Sequence, residues 1–420
     1  MTSASRSPLL LKNITFLLLA QGSNYIVPLI TLPILVSRLK PEGFGVIAFA
    51  QALAVYIQLL ADYGFSISAT RQVAVYASSP SIDILRSYVS TIHACKGLLV
   101  FGISILAAPV LYLWSGGGDA FAVGVLMMGS AIGNALIPLW YYQGINNMKI
   151  VAITMGASKW AGAAAIFLFV REPSDMLFAV CAYSIPPLFV AITCTFSLHR
   201  KGVLEFEAVN FALMAREMRV GAPFFLTSAG AGVLANSSVV VLGLFSSTSI
   251  VGIYAAAEKI IKAAVGCIAP ISQSIYPVNA TRFAESPSKG LQSVKQTALW
   301  LLFPTALGTI TLYMIAPWGL KLLHWTDARY LLVIRYLCPW IVLGVINNVL
   351  GIQILSAMGR GGTYARAFLV AALGTLALMF ALTPTKAEVG VIAGMLGGEL
   401  ILMMLLIWAV RLLLRENYSH

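Results

Sequence analysis

The chain has 420 residues, 59% of them hydrophobic and only 10% charged, with a mean hydropathy of +0.88. A soluble globular domain carries about a quarter of its residues as charges, so this composition excludes one and points to lipid. The net charge of +12 comes without a basic face interleaved with aromatics, so no nucleic acid is expected and anionic membrane lipid is the expected neighbour of the basic loops.

One helical crossing of a ~30 Å hydrocarbon core needs ~20 mainly apolar residues. Stretches of that kind run near 10–36, 44–65, 88–113, 120–142, 150–170 and 176–198, and again near 218–245, 250–278, 294–317, 330–356, 364–383 and 389–413. The expected fold is therefore an all-α polytopic membrane protein with twelve transmembrane helices in two six-helix lobes around a central cavity. The charged segment between His199 and Arg219 divides the lobes, giving 1–198, a connecting segment 199–219, and 220–420. Cationic loops near span ends are retained in the cytoplasm. Sixteen of the 27 Lys and Arg fall on the side of the N-terminus and seven on the other, so both termini are expected to be cytoplasmic. Met1–Ser7 is too short and polar, and the following apolar run too long, for a cleaved signal, so the first span is expected to stay as an anchor. Five scattered cysteines indicate neither disulfides nor a metal site.

A weak repeat links Gly45-Val46-Ile47-Ala48-Phe49-Ala50-Gln51 to Gly252-Ile253-Tyr254-Ala255-Ala256-Ala257-Glu258, each after a short loop. Two lobes of six spans enter the membrane in the same sense, so their relating axis would lie along the membrane normal.

Polar residues within the spans fall on stripes. Gln21, Asn24 and Thr31 share one side of the first span, where Pro28 and Pro33 are expected to bend or unwind the helix. Gln51, Gln58 and Asp62 line one side of the second, and Glu258, Lys262 and Gln273 one side of the eighth, with Lys259 about 100° away. An ionisable group at mid-span costs roughly 2.5 to 3.5 kcal/mol on insertion scales, so Lys159, Glu258, Lys259, Lys262 and Glu399 call for a water-filled cavity or for partners. Both readings stay open for most of them. Glu258 and Lys262 form an i, i+4 ion pair or face a cavity, Asp62 is an interfacial ion-pair partner or a functional carboxylate, and Glu399 is a packing hydrogen-bonder or a protonatable site. Lys96 is expected to snorkel to the interface.

Several segments resemble, in order, the O-antigen flippases (Wzx type) of the bacterial polysaccharide transporters, within the multidrug/oligosaccharidyl-lipid/polysaccharide exporter superfamily. These are Leu11-Lys12-Asn13 with Gln21-Gly22-Ser23-Asn24-Tyr25, the turn Arg38-Leu39-Lys40-Pro41-Glu42-Gly43-Phe44-Gly45, and Asp62-Tyr63-Gly64-Phe65-Ser66-Ile67-Ser68-Ala69-Thr70-Arg71. Trp140-Tyr141-Tyr142-Gln143-Gly144-Ile145-Asn146-Asn147-Met148-Lys149 and Gly252–Ile260 complete the set. The resemblance implies a flippase of the bacterial inner membrane that carries an undecaprenyl-pyrophosphate-linked oligosaccharide from the cytoplasmic to the periplasmic leaflet, its two lobes rocking about a central cavity. It leaves room for an assembly with a polysaccharide polymerase or ligase. On that reading Lys159, Lys259 and Lys262 suit the pyrophosphate, and Gln21, Asn24, Gln51 and Gln58 suit sugar hydroxyls.

No phosphate loop of the GxxxxGK[ST] type occurs in the sequence and no cofactor is expected, so proton or sodium antiport is the expected coupling, with Asp62, Glu258 or Glu399 titrating. The rivals are a cation-coupled drug antiporter of the same superfamily and a membrane-embedded polysaccharide polymerase or ligase. Intramembrane lysines count against the first. Short external loops, and four His that form no base-and-nucleophile set, count against the second and against an enzyme of any kind.

Overall fold

The computed structural model describes residues 7–77, 82–205, 209–266 and 268–418; side chains at 7–22, 24–25, 114, 223, 226–231, 414 and 416–418 are outside that description. The described chain is helical throughout, without a strand, and divides into two compact units, Met1–Asn236 and Ser237–His420. Backbone groups in hydrocarbon have no water to bond, so a chain this apolar satisfies them inside helices.

The first unit contains α1 (Ser7–Asp62), α2 (Phe65–Tyr76), α3 (Ile82–Ser115), α4 (Gly118–Leu136), α5 (Leu139–Gly144), α6 (Lys149–Phe169), α7 (Met176–Arg200) and most of α8 (Phe211–Phe245). The second holds the end of α8, then α9 (Thr248–Gly266), α10 (Ala269–Glu285), α11 (Pro287–Leu322), α12 (Ala328–Asn348), a π-helical turn Val349–Ser356, and α13 (Gly361–Tyr418). Among the described residues, eight helical stretches are long and apolar enough to cross a membrane.

Two of these stretches cannot each be one crossing. Ile26–Tyr76 has 51 residues and Gly361–Leu413 has 53, each more than 70 Å of helix at ~1.5 Å per residue. Ile26–Tyr76 breaks at Lys40 (φ 61°) inside α1 and again between α1 and α2, and Gly361–Leu413 breaks at Ala387 (φ 46°) in α13. The break in α13 makes an antiparallel hairpin. Gly390 lies against the Leu382 carbonyl, Gly394 against Met379, Gly397 against Leu378 and Gly398 against Thr375, a register centred on Ala387. Small residues let the two arms approach at backbone distance.

Two expectations change. α1 stays helical through Pro28 and Pro33 and departs from helical geometry at Lys40, immediately before Pro41. A proline removes one hydrogen bond, whereas unwinding in hydrocarbon would expose several. The stretch 250–278 is two helices, α9 and α10, with Pro270 in the first turn of α10, where its missing N–H costs nothing.

Outward faces are apolar. Leu299, Trp300, Phe303, Leu307, Ile310, Met314 and Trp318 form an exposed row along α11, and Leu98, Phe101, Ile105 and Leu113 do the same on α3. Exposed apolar surface on this scale is a lipid-contacting surface.

A Cβ at Gly390 would sit 2.5 Å from the Leu382 carbonyl oxygen, whereas one at Gly344 meets nothing within 4 Å. Gly390→Ala is expected to cost about 1 to 3 kcal/mol by prising the hairpin apart. Gly344→Ala is expected to be neutral or to stabilise by up to about 1 kcal/mol. Thermal unfolding of the two variants in detergent compares them directly.

Candidate functional site

In the first unit, α1, α4, α6 and α7 enclose a cavity of about 210 Å3. Pro28 and Thr31 enter it from α1, Ser130 and Asn134 from α4, Ser158 and Lys159 from α6, and Tyr183 from α7. Close helix contacts define its walls: a Cβ at Gly133 would strike the Leu188 amide, and one at Gly162 the Ala182 carbonyl. Lys159 makes no ion pair or hydrogen bond among the described residues, and its neighbours are hydroxyls, an amide and apolar groups. Tyr183 lies in hydrogen-bonding reach of Thr31 and Gln51. Gln58 is half-buried on the same helix as Gln51, while Gln21 and Asn24 fall outside the described side chains.

Near the end of α1 the Asp62 carboxylate meets Lys96 Nζ of α3 at 2.9 Å. Lys96 is only 3% exposed, so it does not snorkel: its charge is met inside the protein. His93, one turn earlier on α3, is buried with its Nε2 3.3 Å from Thr195. The segment after Asp62 turns sharply through Tyr63 (φ 46°) and Gly64 (φ 78°). A Cβ at Gly64 would collide with the Phe225 amide and the Gly221 carbonyl of α8. α2 then packs on α5, where Gly144 lies against Val73 and the Thr70 carbonyl. Phe65, Val73, Tyr88, Trp140 and Tyr142 form one buried core. Two of the sequence segments singled out above, 62–71 and 140–149, are therefore packed together as scaffold.

In the second unit Glu258 is buried and fully engaged. Lys262 Nζ lies 3.1 Å from its Oε2, while the Ser238 hydroxyl and, at 3.3 Å, the Tyr254 hydroxyl donate to Oε1. The Lys262 side chain remains one-third exposed, and Lys259 is in the electrostatic field of both partners. Gln273 does not extend this stripe: it lies on α10, past the break, and is exposed. Glu399 Oε2 accepts from Asn347 Nδ2 at 2.6 Å, and the same amide donates to the Glu399 carbonyl at 3.0 Å. Beside this pair runs a buried polar network. Asn279 donates to Gln353 at 2.8 Å, Gln353 donates to Ser272 at 3.0 Å, and Ser272 donates to Asn348 at 2.7 Å. The network staples the π-helical turn to α10 and α12.

Sequence reasoning overlooked Asn134 and Tyr183 in the cavity and the Asn279–Gln353 network. Asn134, with Ser130 one turn before it, and Tyr183 are sparse polar residues in apolar stretches, whereas Asn279 lies in the polar helix α10. Among the described residues, no group of three metal-ligating side chains occurs.

The family model described as "Polysaccharide biosynthesis protein" matches residues 10–283, well over half of the chain. A "Putative O-antigen transporter" of Escherichia coli (strain K12) is 26% identical over 403 residues, covering 95% of this chain and 96% of that protein. One of the same description from Shigella dysenteriae is 29% identical over 273 residues, 63% of this chain and 66% of that one. Among solved structures, an inward-facing multidrug resistance MATE family transporter of the MOP superfamily superposes with a TM-score of 0.75 at 14% identity, covering 94% of this chain and 96% of that one. The lipid II flippase MurJ, in its inward closed conformation, gives 0.75 at 13% identity, covering 94% and 87%. The fold is thus that of multi-span transporters, and kinship is to named transporters and not to enzymes.

Removing one member of a buried ion pair leaves the other uncompensated, at a cost of about 3 to 5 kcal/mol. Asp62→Ala, which strands Lys96, is expected to destabilise by about that much, and the Asp62→Ala/Lys96→Met double variant by clearly less than the sum of the singles. A double-mutant cycle on detergent unfolding measures the coupling; additive effects would show that the pair contributes nothing.

Proposed function

The chain belongs to the polysaccharide biosynthesis protein family, and from that premise we propose that it flips an undecaprenyl-pyrophosphate-linked oligosaccharide, an O-antigen or related repeat unit, from the cytoplasmic to the periplasmic leaflet of the bacterial inner membrane. The observation that carries this reading is Lys159, a cation without a carboxylate among the described residues, in a cavity whose other polar groups are hydroxyls and an amide set among apolar side chains. A buried ammonium in that setting favours an anion, and hydroxyl and amide groups complete the shell of a phosphate or a sugar. At about 210 Å3 the cavity suits a phosphate group and its first sugar contacts, not a whole repeat unit.

Several further features belong to the same proposal. Both termini are cytoplasmic, the polyprenyl tail stays in lipid, and the head passes by alternating access of two lobes joined by the segment 199–219. Lys259 and Lys262 are secondary contacts for the pyrophosphate, and Gln51 and Gln58, with Gln21 and Asn24, serve sugar hydroxyls. Transport is coupled to ion antiport through Asp62, Glu258 or Glu399. Glu258 is the strongest of the three because its partner Lys262 is open enough to exchange it for a bound anion. A polysaccharide polymerase or ligase is the natural neighbour for handing on the product.

In a strain lacking the gene, lipid-linked repeat units are expected to accumulate in the inner leaflet and surface polysaccharide to disappear, with wild type restoring both. Lys159→Gln is expected to restore little, and Lys159→Arg to restore more by keeping the charge. No accumulation in the deletion strain would overturn the function, and full rescue by Lys159→Gln would remove the role of the cavity.

In proteoliposomes an imposed ion gradient is expected to accelerate translocation. Glu258→Gln is expected to abolish the acceleration while leaving downhill movement measurable. A gradient response that survives replacement of Asp62, Glu258 and Glu399 together would place coupling elsewhere.

A further inference from the structure

The second unit carries another concavity, a groove of about 670 Å3 at the end where α11 stops, α12 starts and α13 turns at Ala387. α12 supplies Leu331, Leu332, Arg335 and Tyr336, and the second arm of α13 supplies Ile392 and Leu396 from the facing side. The α12 residues are spaced by three and four, which gathers them on one helix face. Arg335 is the sole charge in the lining. Its guanidinium lies 4.8 Å from the Tyr313 ring centroid, and its Nε is buried without a hydrogen-bond partner among the described residues. No carboxylate pairs with it among those residues, and Asp327, the acid just ahead of α12, is already bound to Arg329 at 3.1 Å.

An unpaired guanidinium in a lipid-facing groove is costly unless an anion meets it. The Tyr313 ring covers one side of the guanidinium, and none of its N–H groups bonds to protein among the described residues, so its terminal nitrogens are available to phosphate oxygens. Seven residues from the start of α12, Arg335 lies only ~10 Å along the helix, closer to headgroup depth than to the bilayer centre. Leu331, Leu332, Ile392 and Leu396 make the rest of the groove a bed for hydrocarbon. The occupant must therefore join a phosphate to an apolar chain. Lys321, Arg329 and Lys386 stand in the adjoining segments against Asp327 and Glu388, so positive charge prevails here, and a choline or ethanolamine cation would be disfavoured.

We propose that this groove binds an anionic phospholipid of the surrounding bilayer, its phosphate on Arg335 and an acyl chain along the apolar faces of α12 and α13. The proposal does not depend on what the protein transports.

The test uses the purified full-length protein in detergent, titrated separately with dioleoylphosphatidylglycerol, dioleoylphosphatidylcholine and inorganic phosphate. Unfolding temperature and, by native mass spectrometry, retained lipid are read together. Phosphatidylglycerol is expected to raise the unfolding temperature and to be retained, phosphatidylcholine to do either weakly, and phosphate alone to do neither. Arg335→Gln is expected to weaken phosphatidylglycerol retention about tenfold to a hundredfold, the scale of a lost charge-assisted contact, with Arg335→Lys between it and wild type. Ala393→Trp, which fills the groove and keeps the arginine, is expected to lose retention as well, so the reading survives a poorly folded Arg335→Gln. Equal retention of the two lipids, undiminished retention in both Arg335→Gln and Ala393→Trp, or a full response to inorganic phosphate alone would overturn the lipid site.

Discussion

Hydrocarbon supplies neither water nor counter-ions, and the buried ionisable groups among the described residues are arranged around that lack. Four acids within or beside the helices meet it with donors from the protein. Asp62 has Lys96, Glu217 has the Tyr88 hydroxyl at 3.1 Å, Glu258 has Lys262 with two hydroxyls, and Glu399 has Asn347. The cations are treated differently. Lys96 and Lys262 are matched, whereas Lys159 and Arg335 stand in concavities without a carboxylate among the described residues. A protein that needed only to be stable would have little use for such positions, because an uncompensated cation costs what a paired one recovers. Their sign is the informative part: both of these unmatched groups are cations.

The same solvent governs the backbone. No hydrophobic force draws one apolar helix to another within lipid, so packing rests on how closely backbones approach. The glycines at 133, 162, 390 and 394 mark the places where a single methyl group would meet a neighbour's backbone or side chain at less than contact distance. Gly64 belongs to the same set with a further constraint, since its φ of 78° is a conformation other residues adopt only with strain. The sequence segments that carry the family resemblance are largely of this kind. Residues 62–71 and 140–149 specify a turn and a tight helix contact.

What could be read from sequence follows from range. Hydropathy is a local sum, so the expected spans fall in helical sequence, though 120–142 runs across α4 and α5 and 250–278 across α9 and α10. The Glu258–Lys262 pair is one helical turn apart and was visible for the same reason. Asp62 and Lys96 are 34 positions apart, and nothing local shows that Lys96 turns inward to a carboxylate instead of outward to the interface. Gln273 was assigned to the Glu258 stripe on the assumption of one continuous helix, an assumption that fails at the start of α10. At Pro28 and Pro33 a local rule predicted a bend or unwinding, and the backbone keeps helical geometry, so the unwinding does not occur. Asn134, with only Ser130 one turn away, and Tyr183 escaped because one or two uncharged polar residues in an apolar run make a faint pattern; the convergence of α4 and α7 on Lys159 gives them meaning.

The repeated segments sharpen this into a difference between the two units. Phe44–Ala50 and Val251–Glu258 are each continuously buried, and each follows a break from the preceding helix, so the matched sequences do the same packing work in both places. They diverge at their last matched position. In the first unit it is Gln51, a neutral amide past the Lys40 break, near Tyr183 and Thr31 of the Lys159 cavity. In the second it is Glu258, locked to a lysine and two hydroxyls. A neutral amide leaves the field of Lys159 uncancelled, whereas a carboxylate at the equivalent position cancels Lys262 until it is protonated or displaced. The scaffold is shared, and the charge set upon it is not.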